Sequence, residues 1–118
     1  MKITEVFENE STYFYHITNE QRLYDIIDSK NLLPHEPWDY TEQEAWPDGS
    51  VEKRSYFSKS PSMFFAPEEG KPVVLRLNSN SAGFKRESTG DYYVVEPISI
   101  KYIEAKMNNN WVPLIEIK

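Results

Sequence analysis

The sequence predicts a sheet-rich α+β domain with one main helix after the first core strand. Three observations lead there: segments rich in β-branched and aromatic residues recur along the chain, one amphipathic helical stretch stands among them, and no repeat or low-complexity linker divides them. At 118 residues the chain is expected to form one compact domain over positions 1–118. Such a length buries roughly two thirds of the surface that the unfolded chain exposes.

The elements follow in order. Residues 12–17 cluster as a strand, and Thr18 with Gln21 three positions on forms a capping-box signature that opens a helix. Leu23, Ile26 and Ile27 recur at helical spacing and give that helix its buried face. Asn31 is expected in the left-handed conformation at the helix end, with Leu32 and Leu33 packing back before Pro34. Residues 35–52 hold six carboxylates and no Lys or Arg, together with Trp38, Tyr40 and Trp46. This is expected to be a solvated acidic loop pinned by its aromatics, with a lid or partner-binding loop as the alternative.

Arg54 to Ser58 reads as a short strand. Ser60-Pro61 then caps a helical turn carrying Met63, Phe64, Phe65 and Ala66. Lys71 to Leu77, KPVVLRL, is the clearest β segment. Ser79 to Gly90 is expected to be a polar loop with Phe84, Lys85 and Arg86 at its tip, and Asp91 to Val95 the next strand. Pro97 to Ile100 leads into a strand over Tyr102 to Met107, Asn108-Asn109-Asn110 suits a tight turn, and Trp111 to Ile117 is expected as the last strand.

Composition bounds the function. The formal charge is −6, from 19 acidic and 13 basic side chains, which opposes binding to bare nucleic acid or anionic lipid. A protein, a nucleotide or a small molecule is the expected partner. No secretory leader and no long apolar run is visible, so a cytoplasmic location and no membrane association are expected. The chain has no cysteine, and its two histidines lie 19 positions apart without HExxH spacing, so no metal is expected. GxGxxG, P-loop and GxSxG motifs are absent from the sequence. The residues left for chemistry stand at strand ends: His16, Tyr56, Asp91 and Glu96. Each has a plain structural reading as well, the histidine as a packing residue and the carboxylates as solvated groups.

Taken in order, these motifs resemble the ADP-ribosyltransferase fold, in its diphtheria-toxin-like and poly(ADP-ribose)-polymerase-like branch with a His, Tyr, Glu triad. The resemblance runs from Tyr13 to Ile103. It is carried by His16-Ile17-Thr18 with the Ile26-Ile27 to Leu32-Leu33-Pro34 helix end, by Arg54-Ser55-Tyr56-Phe57-Ser58, and by Gly90-Asp91-Tyr92-Tyr93-Val94-Val95-Glu96-Pro97-Ile98 before Lys101-Tyr102-Ile103. Asp91 stands where the family has Glu, and its side chain is shorter by one carbon, about 1.5 Å.

The resemblance implies NAD as cofactor and mono-ADP-ribosyl transfer to a protein target, a glycosyltransferase chemistry found in toxin-like enzymes. It implies that the backbone of Ile17 holds the nicotinamide amide, that His16 bonds a ribose hydroxyl, and that Tyr56 stacks on the nicotinamide ring. Thr18, Phe57 and Ser58 complete the implied cofactor site. Asp91 would stabilise the oxocarbenium-like ribose, with Glu96 and Glu87 as alternative carboxylates. The Phe84, Lys85 and Arg86 loop would contact the acceptor. A catalytically silent member of the fold, inhibiting a partner such as a phage or host defence component, is the competing expectation. RNA 2′-phosphotransfer uses the same fold, and the scarcity of Arg and His near the motifs counts against it.

Overall fold

A computed structural model describes residues 12–37, 45–60 and 71–117. The turn expected at Met63 to Ala66, and Trp38 and Tyr40 of the acidic segment, lie outside the described residues. The architecture is α+β, with one main helix and three antiparallel sheets.

The largest sheet has four strands in the order β1 (Tyr13–Asn19), β4 (Pro72–Asn78), β8 (Ile103–Met107) and β9 (Asn110–Pro113). Its inner face alternates as β periodicity requires. Phe14 on β1, Val73, Leu75 and Leu77 on β4, and Ile103 and Ala105 on β8 are all buried. The helix α1 (Glu20–Ser29) follows β1 directly and packs Leu23 and Ile26 into the same core, with Ile27 at its margin. A second sheet pairs β3 (Ser55–Phe57) and β5 (Lys85–Arg86) with β6 (Tyr92–Val94) between them. A third, of two strands, joins β2 (Asn31–Leu32) to β7 (Ile98–Ser99). The first two sheets meet at one bridge, where Tyr15 and Ser58 exchange backbone hydrogen bonds of 2.9 and 3.0 Å.

Several expectations are corrected. The helix N-cap is Asn19, whose side chain accepts from the Arg22 N–H at 2.8 Å. Thr18 instead remains in β1, paired with Val73 and buried, because its methyl group completes the inner face. The left-handed residue at the helix end is Lys30, at φ 64°, and Asn31 already belongs to β2. Leu32 packs inward but Leu33 is exposed, since the two point to opposite sides of an extended segment.

The 79–90 segment is not a polar loop throughout. Lys85–Arg86 pairs with β6, and Phe84 packs on Phe14 and Phe57 at ring separations of 4.3 and 5.2 Å. The last strand stops at Pro113 and a 3-10 turn over Leu114–Glu116 follows, which buries Leu114. The turn before it has Asn108 and Asn109 at φ 51° and 67°, the left-handed pair that a two-residue hairpin loop demands.

The capping assignment is directly testable. Asn19→Ala is expected to lower stability by about 1 kcal/mol. Gln21→Ala should stay within about 0.5 kcal/mol, as for an exposed position without a capping role. Urea denaturation of the two variants checks this, and the reverse ranking would restore Thr18 as the cap.

Candidate functional site

β1 turns Phe14, His16 and Thr18 toward the helix side of its sheet. The His16 ring lies 5.4 Å from that of Phe57, and its Nδ1 is 2.8 Å from the Tyr56 carbonyl oxygen. A carbonyl only accepts, so Nδ1 carries the proton and Nε2 is the ring nitrogen left for a ligand. Burial pushes the imidazole below its usual value more than the bond to the Tyr56 carbonyl raises it, and repulsion from His35 and Arg22 adds to the lowering, so His16 is neutral at pH 7.

A cleft of about 360 Å³ opens beside this ring. His16 and Thr18 line it from β1, Arg22, Asp25 and Ser29 from α1, and His35 from the segment after β2. The backbone supplies a further feature. The Tyr15 N–H and C=O bond Ser58, away from β4, and two residues on Ile17 directs its own N–H and C=O the same way. Past the Tyr15–Ser58 bridge this edge therefore offers one donor and one acceptor side by side.

The phenol of Tyr56 is elsewhere. In β3, Phe57 faces His16 and the core, so Tyr56 points through the opposite face, against Trp46 at 4.9 Å and Tyr93 at 5.9 Å. There it joins a buried ionic cluster that sequence reasoning missed. Arg54, its guanidinium 1% exposed, donates from Nη1 to Glu87 Oε2 at 2.9 Å and to the Tyr56 hydroxyl at 3.0 Å. Its Nη2 reaches Asp48 at 2.9 Å and Glu52 at 3.0 Å, and its plane stacks 3.8 Å from the Tyr93 ring centre. The Tyr56 hydroxyl in turn donates to Glu87 Oε2, and Thr89 donates to Glu87 Oε1 at 2.9 Å.

The charges in this cluster depend on one another. Burial works against the Arg54 charge, but its bonds with Tyr56, Asp48 and Glu52 more than reverse that and push the guanidinium above its usual value. Burial, then the bond to Glu87, pushes the Tyr56 phenol well up, which keeps it neutral. The Asp48 carboxyl is held down at about 2 by the Ser50 N–H and by Arg54. Burial works against ionising Glu52, but the Arg54 hydrogen bond, its own backbone N–H and the Arg54 charge together outweigh it and hold the carboxyl below its usual value.

The sequence-derived residues thus divide into two groups. His16 and Thr18 line the cleft, with Ile17 between them on β1, Phe57 beneath the imidazole and Ser58 holding the bridge. Tyr56, Glu87 and Asp91 share the other face of the β3–β6 pair. Asp91 is half-buried, and burial followed by the nearby Glu87 charge raises its carboxyl above the ordinary range. Glu96 is exposed at the bend after β6. Lys85 and Arg86 are exposed on β5, but Phe84 is a core anchor and not a loop tip.

His35 and Arg22 were not singled out from the sequence. The scarcity of Arg and His around the first motif is therefore corrected, because folding brings both beside His16. The chain's having only two histidines was the one available signal. Comparison with protein-family models, curated proteins and solved structures gives no match for this chain.

Two outcomes check this description. Arg54→Ala is expected to cost about 3–5 kcal/mol in urea denaturation, because it strands Glu87 as a buried unpaired charge. For His16 the folded value lies below the unfolded one, so the folded state binds fewer protons between the two. Its contribution to stability is therefore complete above the unfolded value near 6.5 and declines as pH falls below it. The stability difference between the parent protein and His16→Gln should accordingly narrow between pH 7 and pH 5. A constant difference would mean that folding leaves the proton affinity of the imidazole unchanged.

Proposed function

We propose that this protein binds NAD, or a closely related dinucleotide, at the cleft beside His16, as a binding member of the ADP-ribosyltransferase-like class. The observation that carries the reading is the free backbone edge at Ile17. A carboxamide needs one acceptor for its N–H and one donor for its carbonyl, and an extended backbone residue presents both at fixed spacing. The cleft next to it is of the size that small-molecule sites have, with polar groups on an otherwise apolar wall. The motif resemblance over Tyr13 to Ile103 supports NAD as the dinucleotide.

Binding without efficient transfer is favoured by the division of the site. Rate enhancement from a fixed carboxylate requires it to sit where positive charge develops on the bound substrate. Instead Glu87 is bonded to Tyr56, through the sheet from the imidazole, and Asp91 lies beside Glu87. A second reading, mono-ADP-ribosyl transfer to a protein, is favoured by that same gathering of a phenol with two carboxylates, one of them raised toward protonation.

NAD at 100 times its dissociation constant should stabilise the protein by about 2.7 kcal/mol, seen as a rise in melting temperature. His16→Ala is expected to remove the rise, and Tyr56→Phe to keep it. No rise for the parent at millimolar NAD would sink the reading. Mass spectrometry of the protein incubated with NAD and a lysate decides between binding and transfer. An ADP-ribose mass increment that disappears in Asp91→Asn or Glu87→Gln would establish the second reading.

A further inference from the structure

Both histidines of the chain, far apart in sequence, line one cleft with Arg22. A small sugar or base does not need that combination. Imidazole is the side chain whose ordinary titration falls between pH 5 and 8, and next to a guanidinium it is at its least willing to hold a second positive charge. A bound anion reverses this. We propose that the cleft takes the pyrophosphate of its dinucleotide between Arg22, His16 and His35, and that binding takes up a proton. The inference rests on the NAD-binding reading and specifies which half of that ligand the cleft contacts.

The charges around the two rings decide the direction of the effect. His16 is faced by Arg22 and Asp25 from α1, by His35 from the segment after β2, and by the Tyr56 carbonyl and Phe57 ring from β3. His35 is anchored through its backbone to Arg54, with bonds of 2.8 and 2.9 Å, and the Glu36–Lys53 ion pair at 3.6 Å adjoins it. The Arg54 guanidinium is committed to its carboxylates and contributes no free charge to the cleft. With His16 neutral, Asp25 offsets the Arg22 charge, and a proton on His16 adds a positive charge that faces the bound anion.

At the atom level the change is simple. Nδ1–H remains on the Tyr56 carbonyl, and Nε2 passes from acceptor to donor as it gains the proton, so that N–H⁺ meets a phosphate oxygen. A ribose hydroxyl at the same atom can donate to the neutral nitrogen or accept from the protonated one, so it draws little on the added charge. Only the phosphate therefore ties affinity steeply to the proton, and the experiment can tell the two apart.

Titration calorimetry of the full chain with NAD and with adenosine, from pH 7.5 to 5.5 in buffers of different ionisation heat, tests this. The NAD pyrophosphate keeps its charge across that range. NAD affinity is expected to rise roughly five- to tenfold per pH unit as pH falls, the slope of about one proton taken up, with heats that depend on the buffer. Adenosine should show no such rise. Arg22→Gln and His35→Gln should each weaken NAD about tenfold or more with adenosine unchanged, and Arg22→Lys should restore part of the loss. NAD binding that is flat or weaker at low pH, or adenosine that follows the same slope, overturns the proposal while leaving NAD binding intact. No heat with NAD at any pH removes both.

Discussion

Arg54 is the constraint on which the described structure depends. A guanidinium this deep in the protein persists only if its donors are met, and here three carboxylates, a phenol and an aromatic face meet them. The partners come from separate pieces of chain. Asp48 and Glu52 bring in the segment before β3, Glu87 brings in the β5–β6 hairpin, and Tyr56 lies on β3 itself. Trp46 closes over the group, buried against Tyr56 and donating from Nε1 to the Glu52 carbonyl at 2.6 Å. The backbone of the same arginine pairs with His35 and so fixes one wall of the cleft. A single buried charge thereby ties the acidic segment, the second sheet and the cleft beside His16 into one arrangement.

Much of the fold was legible because it rests on periodicity. The KPVVLRL run, the helical spacing of Leu23 and Ile26, and the Asn108-Asn109 turn each declare their conformation through local residue chemistry, and each is found close to its expected place. What was misread turned on one-residue shifts between equivalent chemistries. Thr18 and Asn19 are both good caps, and only the inner face of β1 decides between them. Asn31 is the residue type that tolerates a positive φ, yet pairing of Asn31 with Ser99 leaves that conformation to Lys30.

The site was legible only in halves. His16 stood out as a lone imidazole at a strand exit, and it does line the cleft. Glu87 was named only as an alternative carboxylate and Arg54 only within the second motif; their pairing did not stand out, because a buried ion pair between residues 33 positions apart leaves no local pattern in the sequence. The acidic segment likewise read as solvated, since nothing in its composition reveals that two of its carboxylates serve one hidden cation. Sequence order also could not say which face of a strand each motif occupies. The Tyr-Phe pair at 56–57 contributes one ring to each side of the sheet.

That last point governs chemistry. Glu87 is close to Tyr56, but its charge is spent on Arg54, the Tyr56 hydroxyl and Thr89, which together occupy both of its oxygens. A carboxylate so neutralised projects little field toward a substrate. Asp91 is not tied to the arginine, but burial and the neighbouring Glu87 disfavour its ionised form, and it is the shorter acid. Neither group is the free, fixed anion that an oxocarbenium-like centre requires. The imidazole, by contrast, is held in one tautomer by a backbone carbonyl and needs no rearrangement to meet a ligand. One face of the seam thus carries the cleft and an imidazole held in place, and the other carries the carboxylates that hold Arg54. We therefore propose binding ahead of transfer.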